Sequence, residues 1–254
     1  LKEVIIFGGA NGSGKTTFAK KLIDEINYYF LNADEIEDSF EEPRSYITQV
    51  KAGRLFFDRL NNLLEEERSF ILESTLSGKY LIKVIEKARK RNYNIKLIYI
   101  FLENPNLCIE RIKVRVKLGG HFVPDEDVKR RYYRSKENFW NNYKFLSDNW
   151  AIFYNSTGES IELVASGIYD RYIVLTNRFF EKFLRNSVEV AREELEDLRF
   201  YQIISKWTRK FDKSVYEVKS EIHKNGLPIV FTRNGKIYYE LPNGEVTNKS
   251  PLKN

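Results

Sequence analysis

The 254-residue sequence predicts an α/β fold, a parallel sheet flanked by helices, and three observations carry that prediction. The run Gly9-Ala10-Asn11-Gly12-Ser13-Gly14-Lys15-Thr16 follows a short apolar strand and opens an amphipathic helix. Beyond it, β-branched or aromatic runs alternate with helical periodicities, which is the signature of βα units. The composition is globular, with 42% hydrophobic and 31% charged residues, and no apolar run reaches the roughly 18 to 20 residues that a membrane span requires. Because the glycine-rich run has P-loop spacing, the predicted fold is a P-loop NTPase of kinase type with a basic helical lid, extended by a C-terminal helical segment and a β-hairpin.

Strands are predicted over Val4 to Phe7, Tyr28 to Leu31, Phe70 to Leu72, Ile95 to Leu102 and Trp150 to Tyr154. Between them, Phe18, Leu22 and Ile26 fall at four-residue spacing, and Ile47, Val50, Phe57, Leu60 and Leu64 line a longer stripe. Such stripes are core. The turn-rich run Asn155 to Ser160 closes the kinase domain, taken as residues 1–165 with a lid at about 111–136, and residues 166–254 form the extension. There Phe180, Leu184, Ser187, Ala191, Leu195 and Leu198 keep helical spacing, and Trp207, Phe211, Val215, Val218 and Ile222 continue it after a break around Tyr201. Asn225-Gly226 ends that helix, and Asn234-Gly235 turns a hairpin between Pro228-Ile229-Val230-Phe231 and Ile237-Tyr238-Tyr239. The polar tail from Thr247 to Asn254 is expected to fray.

The chain runs from Leu1-Lys2-Glu3 straight into its first strand without a basic leader. Cys108 is the only cysteine, and His121 and His223 are the only histidines, which excludes an intrachain disulfide and argues against a zinc site. A soluble, cytoplasmic protein with no membrane partner is expected. Lys and Arg outnumber Asp and Glu by 42 to 36, a net charge of +6. From Arg111 to Lys136 there are nine basic residues against three acids, an excess equal to that of the whole chain. So local a patch fits a phosphate-handling lid at least as well as a nucleic-acid surface.

Glycines at 9, 12 and 14 let the loop turn its N–H groups inward on phosphates, assisted by the positive end of the following helix. Lys15 is placed to reach the β- and γ-phosphates of ATP or GTP, and the Thr16 hydroxyl to ligate Mg²⁺. Asp34, just past the second strand, sits where a kinase needs a carboxylate to accept the acceptor hydroxyl's proton, a reading the position favours over an N-cap of the next helix, for which Asp is also suited. Glu73 ends the third strand, where it can hold Mg²⁺ through water, bind a substrate hydroxyl or simply be solvated, with Ser74 and Thr75 adding donors and acceptors. Arg111 and Arg115 lie one turn apart on one helix face, and after Gly119-Gly120-His121 a second basic helix carries Arg130, Arg131 and Arg134. The paired glycines suit a lid hinge, whereas Lys113, Lys117, Lys129 and Lys136 read as a solvated face.

Read together, Gly9 to Thr17, Asn32-Ala33-Asp34, Ala52-Gly53-Arg54, Glu73-Ser74-Thr75-Leu76-Ser77-Gly78 and Gly119-Gly120-His121-Phe122-Val123-Pro124 resemble the zeta toxin family of P-loop kinases, over Lys2 to about Tyr154. The resemblance implies ATP- or GTP-dependent phosphorylation of a sugar hydroxyl of UDP-N-acetylglucosamine or a related metabolite, with a small helical antitoxin as partner. It further implies nucleotide binding by Gly9, Ala10, Asn11, Gly12, Ser13, Gly14, Lys15, Thr16 and Thr17, and metal binding by Thr16. Catalysis would fall to Asp34 and Lys15 with Arg111, Arg115, Arg131 and Arg134, and substrate binding to Asn32, Arg54, Glu73, Ser74 and Thr75. Two readings compete with this one: a polynucleotide 5′-hydroxyl kinase, although no nucleic-acid partner is expected, and a non-catalytic, nucleotide-switched binding module. The C-terminal segment, in a further reading, covers the kinase site in cis.

Overall fold

The computed structural model describes residues 2–42, 45–184 and 198–252. Among these, a seven-stranded sheet has the order β2-β3-β1-β4-β5-β6-β7. Its strands are β1 (Glu3–Gly8), β2 (Tyr29–Leu31), β3 (Phe70–Ser74), β4 (Asn94–Phe101), β5 (Asn149–Tyr154), β6 (Glu162–Ile168) and β7 (Arg171–Val174). The first five run parallel, and β6 and β7 are added antiparallel.

Strand β1 shows why the sheet is covered on both faces. Its apolar residues alternate, so Val4 and Ile6 enter one buried cluster and Ile5 and Phe7 the other. Helices α1 (Lys15–Ile26), α2 (Ala33–Asp38), α3 (Tyr46–Glu65), α4 (Tyr80–Arg89) and α5 (Pro105–Lys117) fill the crossovers. Helix α3 starts on a capping box, Ser45 with Thr48. Helix α5 starts on the Asn104 side chain, which accepts from the Leu107 N–H at 2.9 Å, with Pro105 in its first turn. The left-handed Gly119 (φ 83°) ends it. Helix α6 (Asp125–Asn138) then continues through a π turn (Phe139–Tyr143) into α7 (Lys144–Leu146). The π turn brings Phe139 onto Tyr99, stacked at 4.5 Å, and Trp140 against Trp150 and Phe180.

The five predicted strands form where expected, but the boundary expected at residue 165 falls inside β6, and the sheet runs on to Val174. Helix α8 (Asn177–Leu184) follows. The stripe positions Ser187, Ala191 and Leu195 lie outside the described residues. Helix α9 (Leu198–Lys224) passes through Tyr201 without the expected break, and Gly226 (φ 71°) lies just past its end. The hairpin forms as predicted, β8 (Ile229–Arg233) against β9 (Lys236–Glu240), with Asn234 and Gly235 both at positive φ. The tail is not wholly frayed: Val246–Thr247 adds a third strand, β10, and Leu252 is buried in the cluster shared by α5, α6 and the hairpin.

The C-terminal segment packs onto the seven-stranded sheet. Phe211 of α9 sits edge-on to Phe18 at 4.7 Å and to Phe153 at 5.7 Å, and Ile204 and Trp207 join the same cluster. The small sheet is tied to α5 through Tyr239, whose hydroxyl donates to Glu110 Oε2 at 3.0 Å. Phe211→Ala is expected to cost about 3 to 5 kcal/mol in urea unfolding, the usual range for emptying a buried aromatic site; a loss under about 1 kcal/mol would contradict this packing.

Candidate active site

The sheet order places the C-terminal end of β1 beside that of β3, and the parallel register sets Phe7 opposite Glu73 and Gly8 opposite Ser74. The loop leaving β1 therefore emerges next to a carboxylate. Gly9, at φ 141°, runs so close to β4 that a Cβ would lie 2.1 Å from the Ile100 carbonyl oxygen. Gly14 is the N-cap of α1 in the left-handed region, without a side chain to occupy the first-turn N–H groups. Ser13 Oγ is buried and has no hydrogen-bond partner among the described residues. Uncapped amides at a helix N-terminus, a buried hydroxyl and glycines where a Cβ would clash suit an oxyanion such as phosphate.

Lys15 is 5% exposed, its ammonium donating to the Ala10 carbonyl at 2.9 Å and lying 3.6 Å from Glu73 Oε1. Glu73 Oε2 accepts from the Thr16 hydroxyl at 2.7 Å and from Asn32 Nδ2 at 3.0 Å. Burial raises the Glu73 pKa, opposed chiefly by the Lys15 charge and the Thr16 hydroxyl, while nearby Asp34 pushes the same way as burial. No group of three or more His, Cys, Asp or Glu among the described residues forms a metal cage. Thr16 and Glu73 nevertheless present adjoining oxygens, a donor set that suits Mg²⁺ completed by phosphate oxygens and water.

Asn32, rather than Asp34, caps α2: its Oδ1 accepts the Asp34 N–H at 2.8 Å. The Asp34 carboxylate is therefore not required as the cap, and Asp34 lines a cavity of about 290 Å³ together with Lys15, Thr16, Glu73, Arg111 and Arg115. Arg111 is fixed by Nε donating to the Val230 carbonyl at 3.2 Å, and burial lowers its pKa to about 10, so it stays charged at neutral pH. Arg115 donates to the His121 carbonyl at 2.6 Å, which ties the Gly119-Gly120 bend to α5. Arg131 approaches the loop through Asn11 Oδ1 at 3.4 Å and pairs with Asp127.

Other predicted residues stand apart from the cavity. Arg134 and Arg54 are exposed. Ser74 Oγ accepts the Leu76 N–H and meets the Tyr80 hydroxyl, and Thr75 Oγ1 bonds Ser77; both shape the loop after β3. Lys136, expected on a solvated face, is 5% exposed, donates to the Lys182 carbonyl and lies over the Phe101, Tyr132 and Phe183 rings. The aromatic packing of α6 on the sheet, invisible in a charge count, draws it inward. Asn155 was read only as part of a turn, yet its Nδ2 donates to the Ser13 carbonyl at 2.9 Å and supports the cradle from the end of β5. Its position past a central strand was the available signal.

Comparisons with known proteins agree with this architecture. The zeta toxin family model matches residues 2–160. An uncharacterised protein of Haemophilus influenzae is 31% identical over 130 residues, spanning 51% of this chain and 92% of its own length. A thymidylate kinase of Leptospira borgpetersenii is 26% identical over 140 residues, spanning 44% of this chain and 68% of its own. The crystal structure of the AvrRxo1-ORF1:AvrRxo1-ORF2 complex with sulphate ions matches with a TM-score of 0.61 at 16% identity, over 85% of this chain and 76% of that one. A structure from the PezAT chromosomal toxin-antitoxin system of Streptococcus pneumoniae matches with a TM-score of 0.52 at 13% identity, over 84% and 87%. At such identities the two structures speak for the fold. No helix among the described residues is long and apolar enough to cross a membrane.

Two measurements check the site. Asn155→Ala is expected to cost about 1 to 3 kcal/mol of stability by leaving the Ser13 carbonyl unpaired, with a matching drop in ATP affinity by calorimetry. Lys136, pushed down to about 8 by burial, binds its proton less well folded than unfolded. Stability is thus reduced at neutral pH and recovers as pH rises from about 8 toward the ordinary lysine value near 10.4. Lys136→Met is expected to unfold at higher denaturant than the parent at pH 7, and the gap should narrow by pH 10, less whatever the ring contacts contribute.

Proposed function

The chain belongs to the zeta toxin family, and from that kinship and the geometry of the cradle we propose that it transfers the γ-phosphate of ATP or GTP, with Mg²⁺, to a hydroxyl of a UDP-amino-sugar such as UDP-N-acetylglucosamine or a related metabolite. The observation that carries the reading is the convergence of Lys15, Thr16, Asp34, Glu73 and two arginines on one cavity at the open end of β1. A nucleotide cradle alone needs neither a carboxylate at Asp34 nor two arginines lining the same cavity.

Phosphoryl transfer passes through a loose transition state in which charge spreads over the equatorial oxygens, so the protein's task is to position the reactants and to neutralise that charge. Lys15, released from the Ala10 carbonyl, would bind the β- and γ-phosphates, and the first-turn amides of α1 would hold the same oxygens. Arg111 and Arg115 would approach from the lid side. Mg²⁺, when bound through the Thr16 hydroxyl and Glu73, would offset charge between the phosphates. Asp34 would align the acceptor hydroxyl and take its proton as the new phosphate ester bond forms and the bond to the leaving nucleoside diphosphate breaks.

The same fold occurs in the AvrRxo1-ORF1:AvrRxo1-ORF2 complex and in the PezAT toxin-antitoxin system, which supports a protein inhibitor as partner. Asp34→Ala is expected to keep ATP affinity within about twofold and to lose about 10² to 10⁴ in transfer rate, measured with γ-labelled ATP and UDP-N-acetylglucosamine. Undiminished transfer would remove Asp34 from the mechanism. Label appearing on another metabolite would keep the kinase and replace the acceptor.

A further inference from the structure

The cavity does not end at the phosphate cradle. From Gly12 and Lys15 it continues between α5 and α9 to the start of β8, and its character changes along the way. Backbone amides and Lys15 form the first part, and Arg111 and Arg115 flank the middle. The far part is bounded by Val114 of α5 and Leu118 just past its end, by Val215, Val218 and Ile222, which share one face of α9, alongside Lys219 and Glu221, and by Pro228. Leu118 is 39% exposed, and the three α9 residues are only partly buried, so this surface faces an opening instead of closing on itself.

The walls are held firmly. Helix α9 is anchored on the sheet by Trp207 and Phe211. The Thr232 N–H donates to the Ser156 carbonyl at 2.9 Å, and Arg111 spans to Val230. Lys219 of α9 pairs with Glu240 at 3.3 Å, and His223 Nε2 meets the Glu240 carbonyl at 3.1 Å. A preformed slot with two aliphatic walls, continuous with an oxyanion cradle, matches a ligand that is polyanionic at one end and a flat, apolar-faced ring at the other.

We propose that α9 and the start of β8 form the nucleobase subsite: the base of the nucleoside triphosphate lies between Val114 and Leu118 on one side and Val215, Val218 and Ile222 on the other. The inference rests on the triphosphate occupying the cradle, as the proposed function requires. It assigns part of the active site to residues 215–230, beyond the family match that ends at residue 160. The C-terminal segment then completes the nucleotide site instead of covering it.

The test compares the affinities of ATP and inorganic tripolyphosphate, each with Mg²⁺, by calorimetry on the full chain. Tripolyphosphate occupies the cradle but has no base. Val218→Trp and Leu118→Trp, on opposite walls, are each expected to weaken ATP about tenfold or more and to leave tripolyphosphate within about twofold. Leu118 lies at the exposed rim, so its variant carries the test should Val218→Trp fail to fold. Unchanged ATP affinity in the folded variants, or equal losses for both ligands, would overturn the subsite. Lys15→Ala separates the two readings, because it should weaken both ligands while leaving the slot intact. ATP affinity left unchanged by Lys15→Ala would refute the cradle, and the slot with it.

Discussion

The site depends on holding a lysine beside a carboxylate where water barely reaches it. Lys15 meets that requirement through two acceptors, the Ala10 carbonyl and the Glu73 carboxylate. A buried ion pair gives little net stability, since removing both charges from water costs several kcal/mol per ion before their attraction is counted. Its presence is better explained by what it prepares. The ammonium lies beside the glycine-rich loop at the uncapped start of α1, and Glu73 also holds the Thr16 hydroxyl and Asn32. An incoming triphosphate would meet an array that needs little reorganisation, which is how preorganised electrostatics lower a barrier.

That arrangement follows from the sheet. Placing β3 and β4 on either side of β1 puts Glu73 beside the loop, while Ile100 crowds Gly9 from the opposite flank. Asn155, at the end of β5, reaches across to the Ser13 carbonyl. Three strands thus brace one eight-residue loop, and α9, packed through Phe211 on Phe7, Phe18 and Phe153, braces the sheet and α1 beneath it. Damage to the C-terminal helix should accordingly be felt at the phosphates.

The parts of this architecture that are local in sequence were legible there. The P-loop, the five parallel strands and the Asn234-Gly235 turn each depend on neighbours within a few residues. Strands β6 and β7 were not predicted, because the turn-rich run Asn155 to Ser160 was read as the end of the domain, and β6 carries Gly167 in its interior. The structure requires it: a Cβ there would lie 2.5 Å from the Trp150 ring. Lys136 was misjudged because the aromatic rings that enclose it come from β4, α6 and α8. The Val215, Val218, Ile222 stripe was recognised as a face, but what it faces depends on α5, about 100 residues earlier. Arg111 was flagged by its charge, while its anchor on Val230, 119 residues away, could come only from the fold.

The central claim is that Lys15, Thr16 and Glu73 form a triphosphate and Mg²⁺ site held ready by the sheet, and a crystal structure with a non-hydrolysable ATP analogue and Mg²⁺ tests it most directly. The account predicts the Lys15 ammonium moved from the Ala10 carbonyl to phosphate oxygens, and the metal bound to the Thr16 hydroxyl with Glu73 beside it. It also predicts a sheet and loop backbone that scarcely shift. A nucleotide bound elsewhere, or one bound here with the Lys15 to Ala10 bond intact and the metal away from Thr16, would contradict it.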